Sequence, residues 1–208
     1  MTVTRIGPHP KRRSYYDIEF DRHESVLVHE DVIVELGLRA GTLLTPEALD
    51  RIAHEQQVAE AREAALGLLR TRGRSLSELQ IRLQKKGFGR DVVDAGVAKL
   101  EDLGLVDDVR FAHELARSLV RREYGRVGLL YKLRAGGVTA EVAEAVVGEM
   151  LEGVDEAERA AQALQRRQTR WQGLGVRERR GKAHQYLARL GYEADTIIDA
   201  LNAVLADE

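Results

Sequence analysis

Residues 83–91 read LQKKGFGRD, residues 133–141 read LRAGGVTAE, and residues 187–195 read LARLGYEAD. Each stretch carries a leucine, a glycine four residues on, an apolar residue directly after it, and an acid four beyond the glycine: Asp91, Glu141 or Asp195. The glycines Gly87, Gly137 and Gly191 are 50 and 54 residues apart, so the C-terminal two-thirds of the chain reads as tandem copies of one supersecondary unit. A glycine just past a helix takes the left-handed conformation that ends it without a Cβ clash, and the apolar residue that follows folds back onto the helix end. Stacked repeats usually present a surface that grips another macromolecule.

Working outward, each copy predicts three helices. They fall at residues 58–71, 76–86 and 90–103 in the first copy, 108–122, 125–135 and 140–152 in the second, and 155–170, 177–190 and 194–206 in the third. Ser75 and Glu78 have capping-box spacing, and Asp107, Thr139 and Asp155 are candidate N-caps. Leu76, Leu79 and Leu83 mark one buried face, and Val93, Val97 and Leu100 another. A three-helix unit of this size buries too little surface to be secure alone, so stacking is expected to be part of the fold.

All three prolines, Pro8, Pro10 and Pro46, precede residue 47. Thr45, Pro46 and Glu47 combine an N-cap hydroxyl, a proline where its missing donor costs nothing and an acid at the positive end of a helix. One long helix is predicted from there to about Leu69. Upstream, residues 15–20 and 25–29 read as two strands joined by a polar turn at residues 21–24, and residues 2–6 supply a candidate third strand. Residues 31–36 read as a short helix in preference to a continuing strand. The expected fold is mainly α: three tandem three-helix repeats in an elongated array behind a small β-hairpin-like segment. The expected divisions are residues 1–44 for that segment, 45–104 for the linking helix and first repeat, 105–153 for the second and 154–208 for the third.

The net charge of −2 conceals an alternation. Residues 70–90 carry +6, 91–108 carry −5, 109–135 carry +5, 136–158 carry −7, 159–190 carry +8 and 191–208 carry −5. Lys85, Lys86, Arg134 and Arg189 sit in last helical turns, where the macrodipole favours cations by about 0.3–1 kcal/mol. Arg72, Arg74, Arg126, Arg177, Arg179, Arg180 and Lys182 cluster instead at the starts of second helices, where cations are disfavoured. Arg121 and Arg122 adjoin the second group, and Arg166, Arg167 and Arg170 beside Trp171 adjoin the third, with Lys132 further along the second repeat. Charge held against a local cost points either to an anionic partner or to a solvated surface face. Trp171 is either a helix-end anchor between repeats or an exposed contact, and Tyr124, Tyr131 and Tyr186 either stack on bases or pack with a wet hydroxyl.

Catalytic signals fail on inspection. With no cysteine there is no thiolate nucleophile, disulfide or cysteine metal ligand. Gly181-Lys182 lacks the first glycine and the hydroxyl of a phosphate loop, at Val176 and Ala183, and Gly173-Leu174-Gly175 lacks the third glycine of a dinucleotide fingerprint. His54-Glu55 and His113-Glu114 lack the second histidine of a zinc-protease helix. No active site, cofactor or metal is expected. The sequence has no apolar run of membrane-spanning length and no signal-peptide pattern after Lys11, Arg12 and Arg13, so a cytoplasmic chain is expected.

Within the second repeat, Gly104-Leu105-Val106-Asp107-Asp108 with Arg110-Phe111-Ala112, then Arg121-Arg122 with Gly125-Arg126, then Leu129, Leu133 and Gly137-Val138, are joined upstream by Arg74-Ser75, Glu78-Leu79, Leu83 and Gly87-Phe88. As a set they closely resemble the RecX family of bacterial recombination regulators over about residues 62–205. The N-terminal strands resemble an extension carried by some members. The resemblance implies a non-enzymatic protein, expected to be monomeric. Its implied partner is the RecA recombinase, especially the RecA filament on single-stranded DNA, and its implied effect is inhibition of strand exchange, ATP hydrolysis and co-protease activity. The rival readings are a direct module for single- or double-stranded DNA and a helical adaptor for another protein. The third repeat departs from the pattern, with Arg179 where the second has Gly125.

Overall fold

A computed structural model describes residues 1–21 and 25–205. The turn expected at residues 21–24 lies outside the described residues from 22 onward, as does residue 206, the end of the last expected helix. The chain divides into two compact units, Met1–Val106 and Asp107–Glu208.

The first unit opens with an antiparallel sheet in the order β1-β2-β3, formed by β1 (Val3–Pro8), β2 (Tyr15–Phe20) and β3 (Val26–His29). The third strand expected from residues 2–6 is present and runs on to Pro8. Helix α1 (Glu30–Glu35) follows directly, its first turn capped by the His29 ring, which accepts from the Asp31 N–H at 3.2 Å. Helix α2 (Pro46–Leu69) starts where Thr45 caps the Ala48 N–H at 3.3 Å.

A two-stranded hairpin is marginal in water, and this sheet is secured twice. Val3, Ile18, Val28 and Val32 pack into one core with Ile52 and Ala59 of α2. Polar ties run alongside: the Tyr15 hydroxyl donates to Glu63 at 3.0 Å, the His29 N–H donates to Gln56 at 2.7 Å, and Asp31 pairs with Arg62. Helices α3 (Leu76–Lys85) and α4 (Arg90–Asp102) then close a second core with the end of α2. Its buried members are Ala65, Leu79, Leu83, Val93, Val97, Leu100 and Val106.

The second unit holds two more three-helix groups. Helices α5 (Asp108–Arg121), α6 (Arg126–Ala135) and α7 (Ala140–Met150) enclose Ala112, Ala116, Leu119, Leu129, Leu133, Ala143, Val146 and Val147. Helices α8 (Glu156–Gln165), α9 (Val176–Leu190) and α10 (Ala194–Leu205) enclose Ala160, Ala163, Leu164, Leu187, Tyr192, Ile197 and Leu201.

The helix expected over residues 155–170 is shorter than predicted. It stops at Gln165, and a separate 3₁₀ turn covers Gln168–Trp171. Residues 165–170 are all polar, so nothing in that run pins a further turn to the core, and tertiary burial is what sustains most short helices.

The leucine-glycine motif has one local geometry in all three copies. Gly87, Gly137 and Gly191 take φ of 98°, 90° and 76°. The N–H of the next residue, Phe88, Val138 or Tyr192, donates back to the carbonyl of Leu83, Leu133 or Leu187 at 3.3, 3.1 and 3.2 Å. This bond from C″ to C3 defines the Schellman ending. The three leucines are 0 % exposed, each contributing about 1.5–3 kcal/mol through burial. One six-residue pattern thus both stops the helix and seals its core.

Candidate macromolecular interface

The expected cationic residues separate by environment. Arg74 is not a surface residue. It is 8 % exposed, donates to the Leu68 carbonyl at 3.2 Å and to Thr71 at 3.1 Å, and pairs with Glu78. Arg72 meets the same carboxylate at 2.6 Å and Arg82 meets it at 2.7 Å. Burial pushes the Glu78 carboxyl up, but hydrogen bonds from Arg82, Arg72 and Arg74 and the charge of Arg72 outweigh it, leaving its pKa below the ordinary value. The anion that balances the start of α3 is therefore internal. That removes Arg74 from the candidate contacts and leaves Arg72 half-committed.

The start of α6 is built differently. Gly125 and Gly128 donate their N–H groups to the carbonyls of Leu190 (3.0 Å) and Gly191 (3.2 Å) at the end of α9. Unsatisfied donors of one helix start meet unsatisfied acceptors of another helix end, and dipole ends of opposite sign adjoin. The approach is backbone on backbone: a Cβ on Gly128 would stand 2.1 Å from the Leu190 oxygen. Arg126 is drawn into the same joint, its N–H donating to Glu156 at 2.9 Å and its guanidinium to Glu144 at 2.9 Å.

The departure at Arg179 is corrected at the helix starts: Gly175, not Arg179, holds the N-cap place in α9 that Gly125 holds in α6, and Arg179 lies inside the longer α9. Gly125 is glycine because Gly191 and Tyr192 press on it, the Tyr192 ring standing 2.7 Å from where its Cβ would be. At the start of α9 the equivalent Gly175, which caps that helix, has nothing within 4 Å of a built Cβ. The close packing that demands glycine is a property of the α6–α9 meeting.

Around the joint, Glu123 takes a left-handed φ of 67°, unusual for a residue with a side chain. It occupies the place glycine holds in the other helix endings, with the Tyr124 N–H donating to Leu119 at 3.2 Å. Its carboxylate accepts from Arg166 at 2.7 Å and from the Tyr186 hydroxyl at 3.2 Å, tying the α5 end to the third group. A polar cavity of about 160 Å³ lies here, lined by Val120, Glu123, Arg159, Gln162, Arg166 and Tyr192. Burial pushes the Tyr192 hydroxyl up to about 12, so it stays protonated at neutral pH. Burial and the Glu123 charge raise Tyr186 as well.

Trp171 resolves as an anchor. It packs on the third core and meets Tyr186 edge to face at 6.0 Å, while Arg167 lies over the other partner's ring at 4.5 Å from the Tyr186 centroid. Arg180 donates to Asn202 at 2.7 Å. Arg121, Arg122, Lys132, Arg170 and Lys182 are exposed, and Arg166 is exposed while paired with Glu123. Arg122 and Lys132 lie over the Tyr124 ring at 5.6 and 6.0 Å, and Lys132 lies 5.8 Å from that of Tyr131.

Sequence reasoning missed the roles of Gly128 and Glu123. Two glycines at i and i+3 opening a helix were the available signal for the first. Among the described residues, no group of three or more His, Cys, Asp or Glu could hold a metal ion, and no helix is long and apolar enough to cross a membrane.

Comparison with known proteins places this geometry. Residues 61–100 match the model of the first RecX three-helix domain and residues 107–147 that of the second. The chain is 31 % identical over 156 residues to the regulatory protein RecX of Prosthecochloris aestuarii, covering 74 % of this chain and 99 % of that one. It is 35 % identical over 159 residues to that of Mycolicibacterium vanbaalenii, covering 72 % and 84 %. In fold it is similar to a crystal structure of a regulatory protein RecX, with a TM-score of 0.81 at 23 % identity, covering 100 % of this chain and 99 % of that one. A RecX crystal structure from Lactobacillus salivarius matches with a TM-score of 0.61 at 20 % identity, over 71 % of this chain and 96 % of that one.

Proposed function

The chain belongs to the RecX family, and from that premise we propose that it binds the RecA recombinase, above all its filament on single-stranded DNA, and lowers ATP hydrolysis, strand exchange and co-protease activity. It acts in the cytoplasm as a monomer, by binding and without catalysing a reaction. The observation that carries the reading is the set of exposed cations on the second three-helix group, Arg121, Arg122 and Lys132, standing clear of the internal ion pairs that absorb Arg74 and Arg126. A filament on single-stranded DNA repeats its protomers and phosphates along its length. Several weak contacts on one chain then add through effective concentration.

The test is RecA-dependent ATP hydrolysis on single-stranded DNA, titrated with the full chain. Hydrolysis falls well below one molecule per protomer if filament ends are capped, and nearer stoichiometrically if the groove is coated. Unchanged hydrolysis at saturating protein contradicts the reading. A second reading, direct binding to DNA, is favoured by the pairing of Lys132 with an exposed tyrosine. In that case binding without RecA falls steeply with salt, each phosphate contact adding about 0.7–0.9 to the log-log slope.

A further inference from the structure

Of the phenylalanines, tyrosines and the single tryptophan of this protein, Tyr131 alone stands exposed. All the others lie within the described residues and are buried or half-buried, while Tyr131 is 68 % exposed. It sits mid-way along α6, one turn from Val127, itself 49 % exposed, and beside exposed Lys132 and Arg134. Helix α6 carries no acid anywhere along its length.

Exposure of a large ring is not needed for the fold. The equivalent position two residues before the core leucine is Ile81 in α3 and Gln185 in α9, so the three-helix unit accepts an aliphatic or an amide there. Only the second group places a tyrosine at this position. Cations flank it on one side in sequence, Lys132 at 5.8 Å from the Tyr131 ring, and continue through Tyr124 to Arg122.

We infer that Tyr131, with Lys132 and Arg122, forms a stacking site for an unpaired base of single-stranded nucleic acid. A flat ring takes the base face, whatever the base, and the neighbouring cations take adjoining phosphates. Duplex DNA keeps its bases stacked inside, so it meets the cations and leaves the ring unused. This deepens the filament reading, which sets single-stranded DNA beside the protein, yet its test requires no recombinase.

The experiment measures binding of the full chain to a fluorescently labelled oligothymidylate and to a duplex of equal length, with RecA absent. Tyr131→Ala weakens oligothymidylate binding about ten-fold and leaves duplex binding unchanged; Tyr131→Phe, which keeps the π face, binds like the parent. Lys132→Ala lowers the log-log salt slope by about 0.7 on the single strand. Circular dichroism confirms that each variant is folded. The inference is overturned if Tyr131→Ala binds the single strand as the parent does, if it loses duplex and single strand equally, or if Tyr131→Phe fails as badly as alanine. A Tyr131→Ala protein that keeps oligonucleotide binding but no longer slows RecA would make the ring a protein contact and also overturn it. A ten-fold loss on oligothymidylate in a protein that never slows RecA would support the stacking site and sink the filament reading.

Discussion

The starts of α3 and α6 look alike in sequence and are built on opposite principles. Both follow an arginine-rich stretch and both precede the leucine-glycine ending. At α3 the charges are consumed at home, where Glu78 gathers Arg72, Arg74 and Arg82 and Arg74 is buried. At α6 the helix start is spent on backbone docking through Gly125 and Gly128, and Arg121, Arg122 and Lys132 remain outward. A count of basic residues therefore does not measure a binding surface. What matters is whether a carboxylate within reach has already been folded in.

The largest effect that can break this comparison falls on the backbone joint. Gly128→Ala forces a Cβ to within 2.1 Å of the Leu190 oxygen, and since that neighbour is backbone, α6 or α9 must shift. Urea unfolding is expected to show a loss of about 3 kcal/mol, the upper range for overpacking. The matched control is Gly148→Ala, inside α7 with nothing within 4 Å of the new methyl, which gains about 0.5–1 kcal/mol from helix propensity. Equal responses at the two glycines would remove the joint from the account.

The next effect sharpens the other side. Glu78→Gln leaves Arg74 buried with its charge partner gone, and a loss of about 2 kcal/mol is expected, the usual worth of hydrogen bonds to a charged group. The sign with pH follows from the lowered Glu78 pKa. Its stabilisation is whole above the ordinary value of 4.5 and is lost as pH falls through the folded-state value. Denaturant midpoints taken between pH 7 and 3 should therefore drop more for the parent than for Glu78→Gln, and parallel curves would contradict the network.

What was legible in the sequence is what is local. The three helix endings lie within six residues each, so Leu83 to Phe88, Leu133 to Val138 and Leu187 to Tyr192 declare their geometry without reference to the rest of the chain. The caps at Ser75, Asp107, Thr139 and Asp155 are local in the same sense, and each accepts the expected N–H. The joint between Gly128 and Gly191 spans 63 positions, and no short-range pattern encodes it. Arg74 and Arg121 are indistinguishable as letters. Their fates differ because one lies inside the turn between α2 and α3 with Thr71 and Glu78 in reach, and the other ends α5 on an exposed face. The place of Trp171 is not legible locally, because its edge-to-face partner Tyr186 lies fifteen positions on.

The most direct measurement sets the two cationic starts against each other in one assay, RecA-dependent ATP hydrolysis on single-stranded DNA. The account predicts that Arg121→Glu/Arg122→Glu, on an exposed face, leaves the fold intact and raises the protein concentration needed for half-inhibition at least ten-fold, whereas Arg72→Gln, trimming a cation already held by Glu78, shifts it less than two-fold, the difference between about 1.4 and 0.4 kcal/mol of binding. Equal sensitivity at both places, or inhibition untouched by the double reversal, would contradict it.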